Sequence, residues 1–153
     1  MVNQILIVNF VSYMAFHSKH LYVRKSSLPS GGKGLFTRKA IRKGSRIIEY
    51  KGRLTSWKEA SHLNGANGYI FYISRKHVLD AATYPKALGR YANDARGLNR
   101  KKGLSNNASY EPVGVQVFID AVKDIPAGSE IFVGYGKEYW DAIRHNNKIS
   151  GEK

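Results

Sequence analysis

Tyrosines set beside glycines recur along this chain, and their spacing asks what could come close to the backbone there. In EIFVGYGKEYW, residues 130 to 140, a strand-like run enters Tyr135 between Gly134 and Gly136, with Tyr139 and Trp140 one turn later. Glycine on both sides of one aromatic residue marks a point of close backbone approach. Three further stretches share the mixture. GGKGLF, Gly31 to Phe36, opens a strand with glycines that leave the main chain accessible to a ligand. IIEYKG, Ile47 to Gly52, is an apolar strand ending in Tyr50, and GRYANDARG, Gly89 to Gly97, sets Asn93 and Asp94 just behind Arg90 and Tyr91. Neither the Walker nor the dinucleotide-binding glycine spacing is met. Taken singly, each stretch is more simply a tight turn, a hairpin or the end of a core strand.

The composition bounds what such stretches can serve. The chain has 153 residues, 42% hydrophobic and 12% aromatic, which suits one globular domain with a sizeable core. No segment approaches the roughly 18 to 20 apolar residues of a membrane span. The run from Ile5 to Phe16 is broken by Asn9, Ser12 and Tyr13 and lacks a basic flank, so it reads as an added strand, a contact with another chain or a misassigned start. With no cysteine there is neither a disulfide nor a Cys-based zinc site, no metal site is expected, and a reducing interior is the default setting. The sequon at Asn107 would matter only in a secreted chain. Charge is the loudest bulk feature: 25 Lys and Arg against 11 Asp and Glu give +14. Residues 19 to 53 carry eleven Lys or Arg and a single acid, Glu49, and a second basic run covers Arg96 to Lys102. Such a field attracts polyanions, nucleic acid above all, in a salt-dependent way. No base-reading motif accompanies it.

Short strand signals dominate the chain. Segments 20–25, 34–37, 45–50, 69–74, 77–81, 115–122 and 130–134 alternate or run apolar between Gly and Pro turns. The capping box Ser56-Trp57-Lys58-Glu59 predicts a helix from about Thr55. Weaker helices are expected over Lys86 to Ala92 and Lys137 to His145. Arg90 to Asp120, dense in Asn and Gly, reads as a long irregular segment, which in a compact domain is functional or disordered. The expected class is a mostly β domain with a few short helices.

Read in order, Gly-Lys-Gly-Leu-Phe, Glu-Tyr-Lys-Gly, Arg-Tyr-Ala-Asn-Asp-Ala and Ile-Pro-Ala-Gly-Ser-Glu-Ile with Gly-Tyr-Gly resemble the SET-domain protein lysine methyltransferases, from about Leu21 to Trp140. The resemblance implies several small sheets, with the C-terminal segment threaded under a preceding loop as a pseudoknot. It divides the chain into an extension of uncertain role (1–20), a catalytic domain (21–145) and a polar tail (146–153). It also implies S-adenosylmethionine as methyl donor and S-adenosylhomocysteine as product. Gly32, Lys33 and Gly34, with Leu35 beside them, would lie along the methionine part. Arg90, Asn93 and Asp94 would join the cofactor site, the last two standing in place of the family's Asn-His pair. Trp140 would cover the adenine. Tyr135 matches the catalytic tyrosine, at the cofactor end of a narrow lysine channel that Tyr50 and Tyr110 would line.

The chemistry explains the tyrosines. The attacking lysine nitrogen needs a lone pair, and neutralising a free lysine at pH 7 costs about 4.6 kcal/mol. An apolar aromatic channel lowers that cost by desolvation, and hydroxyls and carbonyls aim the amine. In the family, the residue two before the catalytic tyrosine tunes how many methyls are added. Here it is Val133, with Tyr110 a substitute hydroxyl on the opposite wall, which favours mono- or dimethylation.

The departures matter as well. Asp94 and Ala95 replace the family's His-Ser, an insertion covers Arg96 to Asn106, and the flanking zinc-binding cysteines are missing. The last channel wall must therefore come from Lys137 to His145 or from a partner chain, as in a homodimer. The expected substrate is a lysine of a histone or another nucleic-acid-associated protein, in an intracellular setting (cytoplasmic, nuclear or nucleoid), with nonspecific nucleic-acid contact through the basic face and no membrane. Two other readings stay open: a catalytically silent SET-like module that binds nucleic acid or a chromatin-like partner, and a small structural basic β-domain.

Overall fold

The structure, a computed structural model, describes residues 18–29, 32–60, 62 and 67–151. Most of the expected extension over 1–20, Gly31 of the glycine run and the last two residues lie outside them. Among the described residues, nine strands form three small antiparallel sheets of three strands each. The first sheet pairs β1 (Leu21–Lys25) with β2 (Lys33–Thr37), and β2 with β9 (Glu130–Ile131). The second sets β8 (Gln116–Ala121) between β3 (Arg46–Glu49) and β7 (Ala108–Val113). The third sets β6 (His77–Asp80) between β4 (Arg53–Thr55) and β5 (Ile70–Ser74). A 3-10 turn, Leu88–Tyr91, and one helix, α1 (Lys137–Gly151), complete the part that concerns the site.

The sheets are covered on both faces, so their central strands read as apolar runs rather than strict alternation. Leu35, Ile41, Ile119, Ile125, Ile131 and Val133 are essentially sealed from water and form the main core. Each contributes about 1.5 to 3 kcal/mol of burial. A second cluster, Tyr50, Leu79, Ala81 and Val117, joins the other two sheets and supports the aromatic residues of the site.

Three expectations need correction. The residues before Ser56 are strand β4, paired through Leu54 with Leu79 and through Thr55 with Val78. Ser56 does cap, its hydroxyl accepting the Glu59 amide at 3.2 Å and its carbonyl the Ala60 amide at 2.9 Å, but only one turn follows before residue 61. Sheet pairing thus outweighs helix propensity here. The irregular segment ends at Asn107, because β7 runs as a full hairpin strand against β8, from Ala108↔Ala121 to Val113↔Gln116. Strand β9 is only two residues long. Beyond it, Phe132 and Val133 leave the sheet to make parallel bridges with Asn93 and Ala108.

That departure builds the pseudoknot. The Val133 amide donates to the Asn93 carbonyl at 2.8 Å, and the Asn107 and Ala108 amides donate to the Phe132 carbonyl at 3.0 Å. The Asn107 side chain closes both sides, receiving the Phe132 amide at 2.9 Å and donating to the Glu130 carbonyl at 3.0 Å. The segment carrying Tyr135 is therefore clamped between the two ends of the 93–108 loop.

Glu130 fixes the neighbouring glycine loop. Its buried carboxylate receives the Ser26 hydroxyl at 2.6 Å, the Ser27 amide at 2.7 Å and the Asn93 side-chain amide at 3.4 Å. It also occupies the space beside Gly34, where any Cβ would overlap the carboxyl group. Gly34 is required for packing, not for its φ. Gly34→Ala is expected to destabilise the fold by about 1 to 3 kcal/mol. Adding Glu130→Ala should make the two costs clearly non-additive in denaturant melts, because the clash is with that side chain.

Candidate active site

A cleft of about 340 Å³ opens where the glycine loop, the 3-10 turn, the start of the third sheet and α1 meet. Gly32 and Lys33 line it from the β1–β2 connection, and Arg90, Tyr91 and Asn93 from the 3-10 turn and the residues after it. Gly68 and Tyr69 line it ahead of β5, and Tyr135 and Tyr139 from the C-terminal segment. Gly32 takes φ +61°, the left-handed region that lets the loop turn into β2. Asn93 holds that loop down, donating to the Lys33 carbonyl at 2.9 Å.

Arg90 is sandwiched by aromatics, its guanidinium 4.1 Å from the Tyr69 ring centre and 4.9 Å from that of Tyr91. Its Nη1 donates to the Ala81 and Ala82 carbonyls at 2.9 and 3.0 Å. Its Nε is the one buried side-chain polar atom among the described residues with no partner. The 3-10 turn reaches this position because Gly89 lets it press against the end of β3, where a Cβ would stand 3.1 Å from the Glu49 carbonyl.

Beside the cleft stands a continuous aromatic wall. Tyr50 meets Tyr110 edge-on at 5.9 Å, Tyr110 lies roughly parallel to Tyr135 at 6.3 Å, and Tyr135 stacks on Trp140 at 5.8 Å. Phe71 packs against Tyr50 and Tyr110, and Tyr139 meets Tyr135 edge-on at 5.0 Å. Two hydroxyls are fixed by backbone carbonyls: Tyr50 donates to Tyr69 at 2.8 Å and Tyr135 to Ala92 at 2.6 Å. Burial pushes the phenols of Tyr50, Tyr110 and Tyr135 well above the ordinary tyrosine value, with Asp80 adding to the effect at Tyr50 and Tyr139 at Tyr135. All three are therefore protonated near neutral pH, a state in which a phenol donates and accepts hydrogen bonds but is no base.

Asp94 ties the wall to the loop behind it. Its Oδ2 receives the Tyr135 amide at 2.8 Å and the Trp140 indole at 2.7 Å. Its Oδ1 receives the Arg96 amide and the Asn106 side chain, both at 2.8 Å. Burial alone would raise its pKa; the hydrogen bonds, that from Trp140 first, outweigh burial and hold the carboxyl below its usual range. Gly97 makes room for the indole, since a Cβ there would overlap the ring.

The structure thus brings Gly32, Lys33, Arg90, Asn93 and Tyr135 to one cleft, with Tyr50 and Tyr110 in the adjoining wall. It sets Gly34, Leu35, Asp94, Val133 and Trp140 outside the lining of that cleft. Leu35 and Val133 are fully buried in the main core, Gly34 backs onto Glu130, and Trp140 lies over Gly97. Sequence reasoning missed Tyr69, Tyr91 and Tyr139. Tyr139 stands four residues after Tyr135 at the start of a helix, a spacing that returns a side chain to the same side. Its hydroxyl lies 3.6 Å from where a Gly68 Cβ would be, so α1 lines one side of the cleft through Tyr139.

Asp94→Asn is expected to cost about 1.5 to 3 kcal/mol at neutral pH, the range for hydrogen bonds to a charged group. A carboxyl whose pKa falls on folding stabilises fully above its ordinary value of 3.8. That contribution fades as pH drops through the lower folded value. The gap between wild type and variant should therefore narrow below about pH 4, as read by urea melts at several pH values.

A family model described as SET domain matches residues 32–136, more than half of the chain. Over 134 residues the chain is 31% identical to the histone-lysine N-methyltransferase EZH2 of Chaetomium thermophilum, covering 80% of this chain and 8% of that protein. A humanized mutant of the Chaetomium thermophilum Polycomb Repressive Complex 2, bound to the inhibitor GSK126, superposes with a TM-score of 0.61 at 29% identity, over 76% of this chain and 15% of that one. The methyltransferase domain of human PR domain-containing protein 2 gives a TM-score of 0.58 at 19% identity, over 82% and 83% of the two chains, a likeness of fold alone. The chain spans only a small part of the length of the first two. From the glycine loop to Gly-Tyr-Gly, by sequence and by the clamped C-terminal segment, this chain belongs to the SET-domain family.

Proposed function

We propose that this chain methylates the ε-amine of a protein lysine, using S-adenosylmethionine and releasing S-adenosylhomocysteine. The observation that carries the reading is Tyr135, fixed on the Ala92 carbonyl where the cleft meets the aromatic wall. The cleft's chemistry fits the cofactor. Lys33 and Arg90 bring two cations and no carboxylate lines the space, which suits a carboxylate-bearing amino-acid group, and the Arg90 Nε lacks an acceptor. Gly32, Lys33, Arg90 and Asn93 would hold the cofactor, which when bound supplies an electrophilic methyl group on a sulfonium.

The rest is the work of the protein's own residues. A lysine entering between Tyr50, Tyr110, Tyr135 and Tyr139 leaves water for aromatic surroundings, which lowers its pKa toward neutrality. Because the Tyr50 and Tyr135 protons point to carbonyls, these hydroxyls turn lone pairs toward the amine and fix its direction. The amine's proton leaves to water before transfer, since no tyrosine can take it.

Tyr110 makes no hydrogen bond among the described residues, so its hydroxyl is available to an amine or a water. Val133, sealed in the core, offers none. This supports mono- or dimethylation, with Tyr110→Phe expected to shift the product toward higher methylation by mass spectrometry. The substrate we favour is a lysine of a histone or another nucleic-acid-associated protein, in keeping with the +14 charge.

The test is transfer of labelled methyl into histones, nucleosomes and basic peptides. Tyr135→Phe keeps the aromatic stack and should lower turnover by about 100-fold or more. The rate should rise with pH as the substrate lysine deprotonates, with no tyrosine-linked fall below about pH 10. No transfer together with no calorimetric binding of the cofactor would favour a silent module instead.

A further inference from the structure

The two basic runs, 19–53 and 96–102, are far apart in sequence, yet a second groove is lined by Arg24 from the first and by the residues that directly follow the second, whose Lys101 and Lys102 are exposed. It measures about 310 Å³ and shares no lining residue with the first cleft. Arg24 enters from β1, Gly103, Leu104 and Ser105 follow directly on Arg100, Lys101 and Lys102, and Gly128 and Ser129 close the far side. Lys123 adds a further cation, its ammonium donating to the Ser105 hydroxyl at 3.0 Å.

The outer face of β1 and β2 extends this groove. Tyr22 pairs with Phe36 across the strands, their rings 5.7 Å apart. The Arg24 guanidinium lies 4.1 Å from the Phe36 ring centre and that of Arg38 lies 4.3 Å from the Tyr22 ring centre. Both arginines are exposed, and neither is in an ion pair among the described residues. Stacking holds the planar heads on the aromatic rings while leaving their N–H edges for an acceptor. The groove's one carboxylate, Glu130, is buried and already receives Ser26, Ser27 and Asn93. Lys123's neighbour Asp124 receives the Lys43 amide at 2.8 Å.

We infer that the β1–β2 face and the adjoining groove lined by 103–105, with the exposed Lys101 and Lys102 beside it, form a nucleic-acid docking surface, on which Arg24, Arg38, Lys101 and Lys102 contact successive backbone phosphates. The aromatic faces are covered by guanidinium groups, so the surface reads phosphate rather than stacked bases, without sequence preference. Binding is read without the methyl-transfer reaction, so this inference and the catalytic reading can fail separately.

The experiment is fluorescence anisotropy of a labelled mixed-sequence DNA duplex, titrated with the full chain at several salt concentrations. Each lost phosphate contact lowers the slope of log affinity against log salt by about 0.9 and weakens binding about fivefold near 0.15 M salt. Arg24→Ala/Arg38→Ala and Lys101→Ala/Lys102→Ala should each lower the slope by nearly two, while Arg24→Lys/Arg38→Lys, which keeps both charges, should lose much less. Lys76→Ala/Lys86→Ala removes the same charge elsewhere and should change little. An equal loss in that control, an unchanged slope in the first two variants, or polyglutamate binding without DNA binding would overturn the assignment. Circular dichroism melts confirm that each variant is folded.

Discussion

A single buried carboxylate ties the segment that carries Tyr135 to the loop before it and the helix after it. Asp94 is 6% exposed, and a charge so placed costs several kcal/mol unless donors surround it. It has four donors: two backbone amides, an indole and a side-chain amide, from residues 96, 106, 135 and 140. Those donors are the start and end of the insertion, the backbone of the tyrosine at the cleft, and the first turn of α1. Three pieces that the Phe132 and Val133 bridges bring close are thereby tied to one another through one side chain. Glu130 does the same for the glycine loop, and Asn93 links the two systems by reaching both Glu130 and the Lys33 carbonyl. The cleft's floor and its aromatic wall are thus one hydrogen-bonded unit.

This arrangement explains why an aspartate serves at a position where the resemblance calls for histidine. An imidazole offers two nitrogens, whereas a carboxylate has lone pairs for all four donors here. The indole of Trp140 is a donor only, so its burial over Gly97 needs an acceptor, and Asp94 supplies one. The residue expected to cover an adenine is here the anchor of α1, and by anchoring the helix it sets Tyr139 against the cleft.

Much of the fold was legible because sheets covered on both sides write themselves as short apolar runs between glycine and proline turns, as at 33–37 and 116–121. What the sequence hid were long-range pairings. Ser56 carries a good helix start, yet β6 claims Arg53 to Thr55 just before it, and no local pattern announces β4. Asn107 to Pro112 looks irregular until Gln116 to Ala121 folds back on it. For the site, the ordered motifs pointed to Tyr50 and Tyr135, the resemblance added Tyr110 outside them, and the structure places the three in one wall. Leu35, Val133 and Gly34 share those motifs because the motifs also encode packing, and spacing alone cannot separate a residue facing the cleft from its neighbour facing the core. Tyr69 was read as part of an ordinary strand, since its role depends on Arg90, twenty-one positions away.

The same economy of carboxylates accounts for the surface. Of eleven acids in the chain, Asp80, Asp94 and Glu130 are buried and satisfied by neutral donors. Among the described residues only three ion pairs form: Arg46 with Asp120, and Lys137 and Arg144 with Asp141. Three acids thus serve as internal acceptors, while Asp120 and Asp141 together pair with three cations. An acid satisfied by amides inside the domain does little to pair the cations outside, so the basic runs keep their reach into solvent. The positive face and the clamped tyrosine wall are therefore two results of one allocation: buried carboxylates hold the Tyr135 segment and the glycine loop, and exposed cations such as Arg24 and Arg38 face solvent.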